Sequence, residues 1–485
     1  MKNQLASPIR TTYIATGGRI FRHLRLCLTA SAVACSTFAV TALQASSLLN
    51  PEPEDSTTLF GRAATAIGDV NGDGVPDLAI GAPYEDGDFG NSDPGFGPPQ
   101  NVGKVFVLSG ADLSVITQLN DPEFQMVQSQ KFGGQFGTAL AAAGDLNGDG
   151  TPDILVGAPH HTVNLVDEKI FSVGRVFVLS GNSDTVLLTF DIPGEEENGR
   201  GGMSIASLGD VNSDGKPDFL VGVPGKDIGF GEGAATDVGV VHVVSGANGS
   251  IIRTLSDPDA LPDARCGFSV ANAGDVDGDG VADALIGAPG KAAAFVFSGK
   301  TGALLFTILS PVREKLNSFG SAVAGGKDLD GDGKPDFVVG APLLRNAQGG
   351  VFIFKGSDGR LLRRLRIPAP ENFAKVGASL AVIGDLTGDG GAEIMVGIPE
   401  KDLNGAVNAG EVLIFNGRSG TLVQTLTSET PQAFAGFGTA LTAVDFDGDG
   451  SVTPVIGVPY QNANLVDPDD GDLVTHLQVG QIEIQ

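Results

Sequence analysis

Short apolar runs separated by turn residues cover nearly the whole chain. Runs such as residues 78–82, 105–108 and 351–354 are rich in Val, Ile, Leu and Phe, and Gly, Pro, Asp or Ser stand near their ends. Runs this short, with β-branched and aromatic residues between turn residues, predict strands and not helices. The pattern therefore predicts an all-β fold.

One unit of four such runs repeats seven times. Each unit contains an aspartate-rich phrase, Asp-x-Asn/Asp-x-Asp-Gly-x-x-Asp in most copies, followed by an apolar run that ends in Gly-x-Pro. The phrases lie 53 to 76 residues apart and begin at Asp69, Asp145, Asp210, Asp275, Asp328, Asp385 and Asp445. Self-similarity at this period indicates a repeat architecture, and repeated four-stranded units are typical of β-propellers.

We predict one seven-bladed β-propeller of four-stranded antiparallel blades over residues 46–485. Its repeats start near residues 60, 136, 201, 266, 319, 376 and 437, at an aromatic–Gly pair or a weaker version of one. The last apolar run, residues 479–485, has the pattern of a third strand, and residues 46–51 resemble the end of a fourth strand. We expect the N-terminal strand to close the last blade and so to cover two edges that would otherwise favour aggregation.

The ordered motifs resemble a known family. Phe136-Gly137, the loop from Asp145 and the Gly-Ala-Pro of residues 157–159 show the order in one unit. This order resembles the FG-GAP repeat of integrin α-subunit propellers, and the resemblance covers nearly all of residues 46–485. It implies a bare propeller of the kind found in exported bacterial FG-GAP proteins, with a role in binding or adhesion.

Composition narrows the classes of partner. The 485 residues include 71 Gly, 27 Pro and no Trp, carry a net charge of −28, and are 41% hydrophobic. That hydrophobic share argues against disorder, and an acidic surface repels phosphate backbones, so we expect no nucleic-acid partner. A solvated acidic surface would explain the charge but not the fixed spacing of the acids.

The first 45 residues differ from the rest. Arg10, Arg19, Arg22 and Arg25 precede an apolar stretch over residues 26–43, with small residues at Ala42 and Ala45. This pattern predicts a signal peptide over residues 1–45 and a secreted, cell-surface or periplasmic protein. The alternatives are a retained transmembrane anchor and lipid attachment at Cys35. After signal removal we expect no transmembrane helix.

Each aspartate-rich loop has the spacing of a calcium site, because alternate residues of a tight loop can present oxygens to one Ca²⁺ ion. At positions one, three, five, seven (carbonyl) and nine, the first loop offers Asp69, Asn71, Asp73, Val75 and Asp77. An EF-hand would need Glu at position twelve and flanking helices, whereas Ile80 stands at that position within a strand. The loops therefore predict calcium sites of another kind.

Four further loops offer the same complete set. In the same order they contain Asp145, Asn147, Asp149, Thr151 and Asp153; Asp210, Asn212, Asp214, Lys216 and Asp218; Asp275, Asp277, Asp279, Val281 and Asp283; and Asp328, Asp330, Asp332, Lys334 and Asp336. The last two loops are incomplete. Loop six offers Asp385, Asp389, Gly391 and Glu393 around Thr387, and loop seven offers Asp445, Asp447, Asp449 and Ser451 before Thr453. We predict five strong and two weaker structural Ca²⁺ sites; acidic turns without an ion are the alternative, chiefly for the last two.

The ligand is expected on the face opposite the calcium loops. The loops between second and third strands are long in units seven, one, two and three, which are neighbours in a closed ring. Long loops on a rigid scaffold commonly have binding roles. We expect Tyr84, Glu85, His160, His161 and Tyr460 near the rim of this face, contacting a protein or carbohydrate ligand; ordinary solvated loops are the alternative.

No set of residues predicts catalysis. Cys266 replaces the Phe of an aromatic–Gly pair, and none of the His residues lies in a nucleophile or zinc motif. We therefore expect a monomeric binding protein and not an enzyme. The alternative is a carbohydrate-active propeller, either a neutral-sugar lectin or, with less support from an acidic face, a polysaccharide lyase.

Overall fold

The computed structural model describes residues 46–51, 58–86, 101–123, 133–164, 169–194, 197–229, 235–314, 317–466, 473–476 and 478–485. The predicted signal peptide and Cys35 lie outside the described residues. Within the described part, no helix is long and apolar enough to span a membrane.

Strands dominate the described residues, and each blade contributes four of them to one sheet. The first strand is β1 (Ser46–Leu49). Blade one contains β2 (Ala63–Gly68), β3 (Asp77–Ala82), β4 (Lys104–Leu108) and β5 (Val115–Asn120). Blade two contains β6 (Ala139–Gly144) and β7 (Asp153–Ala158), then the small hairpin β8 (Val163–Asn164) and β9 (Lys169–Ile170), then β10 (Arg175–Ser180) and β11 (Val186–Asp191). Blade three contains β12 (Ser204–Gly209), β13 (Asp218–Val223), β14 (Val240–Val244) and β15 (Ile251–Ser256).

The remaining blades follow the same plan. Blade four contains β16 (Ser269–Gly274), β17 (Asp283–Ala288), β18 (Ala293–Phe297) and β19 (Leu304–Leu309). Blade five contains β20 (Val323–Lys327), β21 (Asp336–Gly340), the single helical turn α1 (Leu344–Ala347), β22 (Val351–Phe354) and β23 (Leu361–Arg364). Blade six contains β24 (Ser379–Val382), β25 (Glu393–Ile398), β26 (Glu411–Asn416) and β27 (Leu422–Leu426). Blade seven contains β28 (Ala440–Val444), β29 (Thr453–Val458), the hairpin β30 (Ala463–Val466) and β31 (Leu473–His476), and β32 (Gln481–Ile484).

The last blade is completed by the first strand of the chain. Its sheet has the order β1-β32-β29-β28, and β1 runs antiparallel to β32 with Ser46 opposite Ile484 and Leu49 opposite Gln481. The predicted seven-bladed all-β propeller, closed by the N-terminal strand, is confirmed.

Strand register separates two faces. In blade one, Gly68 pairs with Asp77 beside the aspartate-rich loop, whereas Ala63 pairs with Gly81 at the other end of the same two strands. We call the edge with the seven aspartate-rich loops the metal-loop face. The opposite edge, which has the Gly-x-Pro turns, the loops between second and third strands and the links between blades, is the connection face.

The core lies between adjacent blades. Phe60 of the first aromatic–Gly pair is fully buried and packs edge-on against Phe106 of β4, with ring centroids 5.4 Å apart. Phe136 and Phe177 repeat this contact in blade two at 5.7 Å. The aromatic residue of the motif therefore packs against the middle of the third strand, and the apolar side chains of the second and third strands fill the space between blades.

Candidate functional site

The seven aspartate-rich loops share one backbone geometry, which their own side chains maintain. In every loop the glycine at position six donates its N–H to Oδ2 of the first Asp at 2.7–2.9 Å, as Gly74 does to Asp69. In every loop the residue at position seven donates its N–H to Oδ1 of the Asp at position five at 2.7–3.0 Å, as Val75 does to Asp73. The turns thus gather the carboxylates of positions one and five on one side.

Four loops bring three acids together tightly enough to hold a metal ion. Within each group, one carboxylate oxygen per residue lies within 4.8 Å of the others. The groups are Asp275, Asp277 and Asp279; Asp328, Asp330 and Asp332; Asp385, Asp389 and Glu393; and Asp445, Asp447 and Asp449. Carboxylate oxygens are the ligands that Ca²⁺ prefers. The donor sets therefore fit a hard divalent cation.

The first three loops have Asn at position three. Its amide nitrogen donates to Oδ2 of the Asp at position five, at 2.9 Å from Asn71 to Asp73 and 2.8 Å in the next two loops. An amide carries no charge, so these loops gather fewer negative charges than loops four and five.

The acid at position nine lies beneath its loop. Asp77 is fully buried, and its two oxygens accept N–H groups from Val70 at 2.8 Å and Gly110 at 2.9 Å. Asp218, Asp283 and Asp336 repeat both contacts. This carboxylate fastens the loop to the end of the third strand, and its predicted role as a further metal ligand stays a prediction.

Loop two differs at this position. Oδ2 of Asp153 accepts the Leu146 N–H at 2.8 Å, whereas the buried Oδ1 has no hydrogen-bond partner. Burial raises the pKa of this carboxyl to about 6. A buried carboxylate oxygen without a donor is costly unless a cation or proton satisfies it. In Asp77 the equivalent oxygen accepts the Gly110 N–H.

Loop six assembles its group by another route. Glu393, one methylene longer than Asp, reaches Asp385 and Asp389 and accepts a hydrogen bond from the Thr387 hydroxyl at 3.0 Å. The sequence predicts an incomplete ligand set for this loop, but the longer side chain of Glu393 offsets the missing acid at position three. The predicted weakness of loops six and seven stays a prediction.

The connection face contains a cavity of about 490 Å³ beside blades six, seven and one. Its wall includes the Lys375–Glu400 ion pair at 2.6 Å, and Arg62 and Tyr460 also line it. Phe434, 60% exposed, is part of the same lining. Exposed aromatic rings beside charged groups are typical of binding surfaces.

A second cavity, of about 440 Å³, lies on the same face beside blades three and four. Arg200 and Arg265 line it together with Glu197, Asp227 and Asp237. Both cavities therefore present charges of either sign, within a face that the sequence predicts to be acidic.

The residues predicted to lie near the rim of the connection face differ in exposure. Tyr460 lines the first cavity, and Tyr84 and His160 are partly exposed, but Glu85 and His161 are only 3% and 4% exposed. The prediction for Glu85 and His161 is wrong because the backbone turns back after Pro. The Glu85 N–H donates to the Ala82 carbonyl, and the Glu85 carbonyl accepts the Gly103 N–H. His161 makes the equivalent two hydrogen bonds with Ala158 and Gly174, so both residues are held inside a turn.

Sequence reasoning missed two exposed aromatic residues on this face. Phe373 and Phe434 are 67% and 60% exposed and stand three residues before the motif residues Val376 and Phe437. Both have left-handed backbone, with φ of 68° and 64°, which bulky residues rarely adopt. An aromatic residue at one offset before two consecutive motifs was the signal that could have found them.

Comparison with known proteins agrees with the repeats. FG-GAP repeats match residues 60–108, 136–179, 201–244 and 319–354, and an FG-GAP-like repeat matches residues 105–156. Integrin alpha-5 of Xenopus laevis is 30% identical over 244 residues, 49% of this chain and 20% of the integrin. Integrin alpha pat-2 of Caenorhabditis briggsae is 31% identical over 242 residues, 46% of this chain and 17% of the integrin. The matched part thus spans a fifth or less of each relative.

One solved structure gives a wider but weaker match. A chain in the crystal structure of BBS1N in complex with ARL6DN, soaked with lead, aligns with 90% of this chain and 96% of its own, with a TM-score of 0.49 and 11% identity. The matched repeats and the similarity to integrins agree with the seven repeated sheets: the chain contains FG-GAP repeats and forms a propeller similar to that of integrin α chains.

Proposed function

We propose that this protein is a calcium-stabilised extracellular binding module that recognises a protein or glycan ligand on its connection face. Export follows from the signal peptide predicted over residues 1–45, and the module acts as a single propeller without catalysis. The matched relatives are integrin α chains. The cavity lined by Arg62, Phe434 and Tyr460 is the observation on which the ligand assignment rests.

Calcium has a structural role in this proposal. The loops concentrate carboxylates at one edge of each blade, where like charges repel one another unless a cation neutralises them. An ion that binds the folded loops and not the unfolded chain stabilises the fold by linkage. The metal-loop face then holds the ring rigid while the opposite face remains free for recognition.

The test compares binding by the wild-type chain with a double variant, Phe434→Ala/Tyr460→Ala. Both would be applied to immobilised extracellular proteins and to arrays of neutral and acidic glycans. Leu422→Ala is the matched control, because Leu422 is 40% exposed on the outer strand of blade six, away from the cavity lining. We expect a ligand that the wild type and the control retain and the double variant loses. Equal retention by all three would contradict the assignment of the site.

A further inference from the structure

One position next to the aspartate-rich loop is Ser in blades one to four and Lys in blade five. The residue before the glycine that ends the third strand lies beside the loop carboxylates in blade one, where the Ser109 hydroxyl is 3.5 Å from Asp73 Oδ2. Ser245 makes the same contact with Asp214 at 3.3 Å in blade three. The corresponding residues are Ser109, Ser180, Ser245 and Ser298 in blades one to four, Lys355 in blade five and Asn416 in blade six.

In blade five this position places an ammonium group on the acids of the loop. The Lys355 ammonium forms an ion pair with Asp330, which is 9% exposed, and lies 4.0 Å from Asp332 Oδ2. Both acids belong to the three-acid group of loop five. A cation supplied by the chain therefore already contacts the carboxylates that would bind Ca²⁺.

A second cation lies against the same loop. A Cβ added to Gly331, the residue between Asp330 and Asp332, would stand 2.4 Å from a guanidinium nitrogen of Arg418. The guanidinium thus covers the tip of loop five.

Loop four has the same three-acid group and lacks this arrangement. Among the described residues, no Lys or Arg side chain lies within ion-pair distance of Asp275, Asp277 or Asp279. The two nearby lysines donate instead to backbone carbonyls, Lys300 to Asp279 at 3.2 Å and Lys334 to Val276 at 2.9 Å. Loops four and five therefore differ in their cation and not in their acids.

We propose that Lys355 is the built-in cation of loop five, so that this loop folds without Ca²⁺ and binds the ion more weakly than loop four. The Lys355 ammonium neutralises one carboxylate charge of the loop without any bound ion. At a distance of a few ångströms it also repels a divalent cation. The inference rests on the proposed binding of calcium by the other loops. It removes loop five from the strong sites that its four acids predicted.

The test counts bound calcium per chain in wild type, Lys355→Ser and the reciprocal Ser298→Lys. Each purified full-length chain would be dialysed against about 1 mM free calcium, the range of extracellular modules, and analysed by native mass spectrometry and metal analysis. Lys355→Ser should bind one more ion than wild type and Ser298→Lys one fewer. Lys355→Met, which keeps the length of the side chain without its charge, should behave as Lys355→Ser.

Thermal melting gives a second readout. In chelator, Lys355→Ser should melt below wild type because loop five has lost its cation, and calcium should remove that difference. Circular dichroism establishes that each variant is folded. An unchanged ion count in folded Lys355→Ser and Lys355→Met would overturn the inference while leaving the proposed function intact. An ion gained by these variants alone, with none bound by wild type, would support the inference and contradict the proposed function; no ion bound by any chain would contradict both.

Discussion

The carbonyl oxygen of Gly61 in blade one lies 2.0 Å from the position that a Cβ on Gly457 in blade seven would take. The same contact recurs at every junction between blades, with distances of 2.0–2.3 Å. The pairs are Gly81 with Gly137, Gly157 with Gly202, Gly222 with Gly267, Gly287 with Gly320, Gly340 with Gly377, and Gly397 with Gly438. The glycine of each Gly-x-Pro turn therefore packs against the aromatic–Gly pair of the next blade, and Gly457 with Gly61 closes the ring.

Gly457→Ala should destabilise the propeller, because the added methyl meets a backbone oxygen that cannot move without shifting a blade. We expect a loss of about 1–3 kcal/mol in the free energy of unfolding, as for other overpacked sites. Chemical denaturation with circular dichroism measures it. Gly350→Ala is the control, since its Cβ would meet only side-chain ends, Leu344 Cδ2 at 3.1 Å and an Arg364 nitrogen at 3.4 Å. Equal losses in both variants would show that the junction is not the cause.

These junctions explain why the fold could be predicted from the sequence. The aromatic–Gly pair and the Gly-x-Pro turn are contact surfaces between repeats, so they recur wherever a blade meets its neighbour. The alternation of short runs supplied the strands, and the pattern of residues 46–51 located the strand that closes blade seven. Each of these signals is local to one unit, and seven copies reinforce it.

His242 makes stability depend on pH. It occupies the third-strand position that Phe106 and Phe177 fill elsewhere, and its Nδ1 lies 2.9 Å from the Thr254 hydroxyl while Nε2 has no partner. Burial, assisted by the positive charge of Lys226, lowers the pKa of His242 to about 4. An unfolded His titrates near 6.5, so between pH 6.5 and 4 the unfolded chain binds a proton that the folded chain excludes.

Stability should therefore fall as the pH drops through this window, by up to roughly 3 kcal/mol from this residue. His242→Phe should remove that part of the loss, and the difference between the unfolding free energies of variant and wild type should grow from pH 7 to pH 4. Titrating groups common to both chains, His161 among them, cancel in the difference. A difference that is constant over this range would contradict the assignment.

Contacts between distant segments could not be predicted from the sequence. Lys355 reaches Asp330 only because the end of the third strand of blade five lies beside the aspartate-rich loop that precedes the second strand. The sequence alone does not show in which direction the Lys355 side chain points. Alignment of the repeats does show Lys355 where blades one to four have Ser, and it shows His242 where blades one, two, four and five have Phe. The alignment does not show what these two positions contact. The strand register in the structure does.

Removal of calcium should lower the melting temperature of the whole propeller. If loop sites have dissociation constants near 10⁻⁴ M, each contributes about 1.4 kcal/mol at 1 mM calcium. Differential scanning calorimetry with excess chelator, and again after calcium is restored, measures the loss and its reversal. Asp275→Asn/Asp277→Asn in loop four should reduce the calcium-dependent part of the shift. Identical melting of wild type with and without calcium would contradict the structural role of the ion.

A buried ion pair joins blades three and four. Variants of this pair can distinguish the contribution of charge to stability from the contribution of packing. The Lys291 ammonium lies 2.5 Å from Asp257 Oδ1 and 5.1 Å from the centre of the Phe295 ring, and the Asp257 side chain is fully buried. Lys291→Met should cost about 3–5 kcal/mol in the free energy of unfolding, because it leaves the buried carboxylate without its cation. The double variant Lys291→Met/Asp257→Leu should recover most of that loss, since neither charge then needs a partner. Chemical denaturation of both single variants and the double variant gives the coupling energy. Losses that simply add would show that the two groups act independently and that packing alone holds this junction.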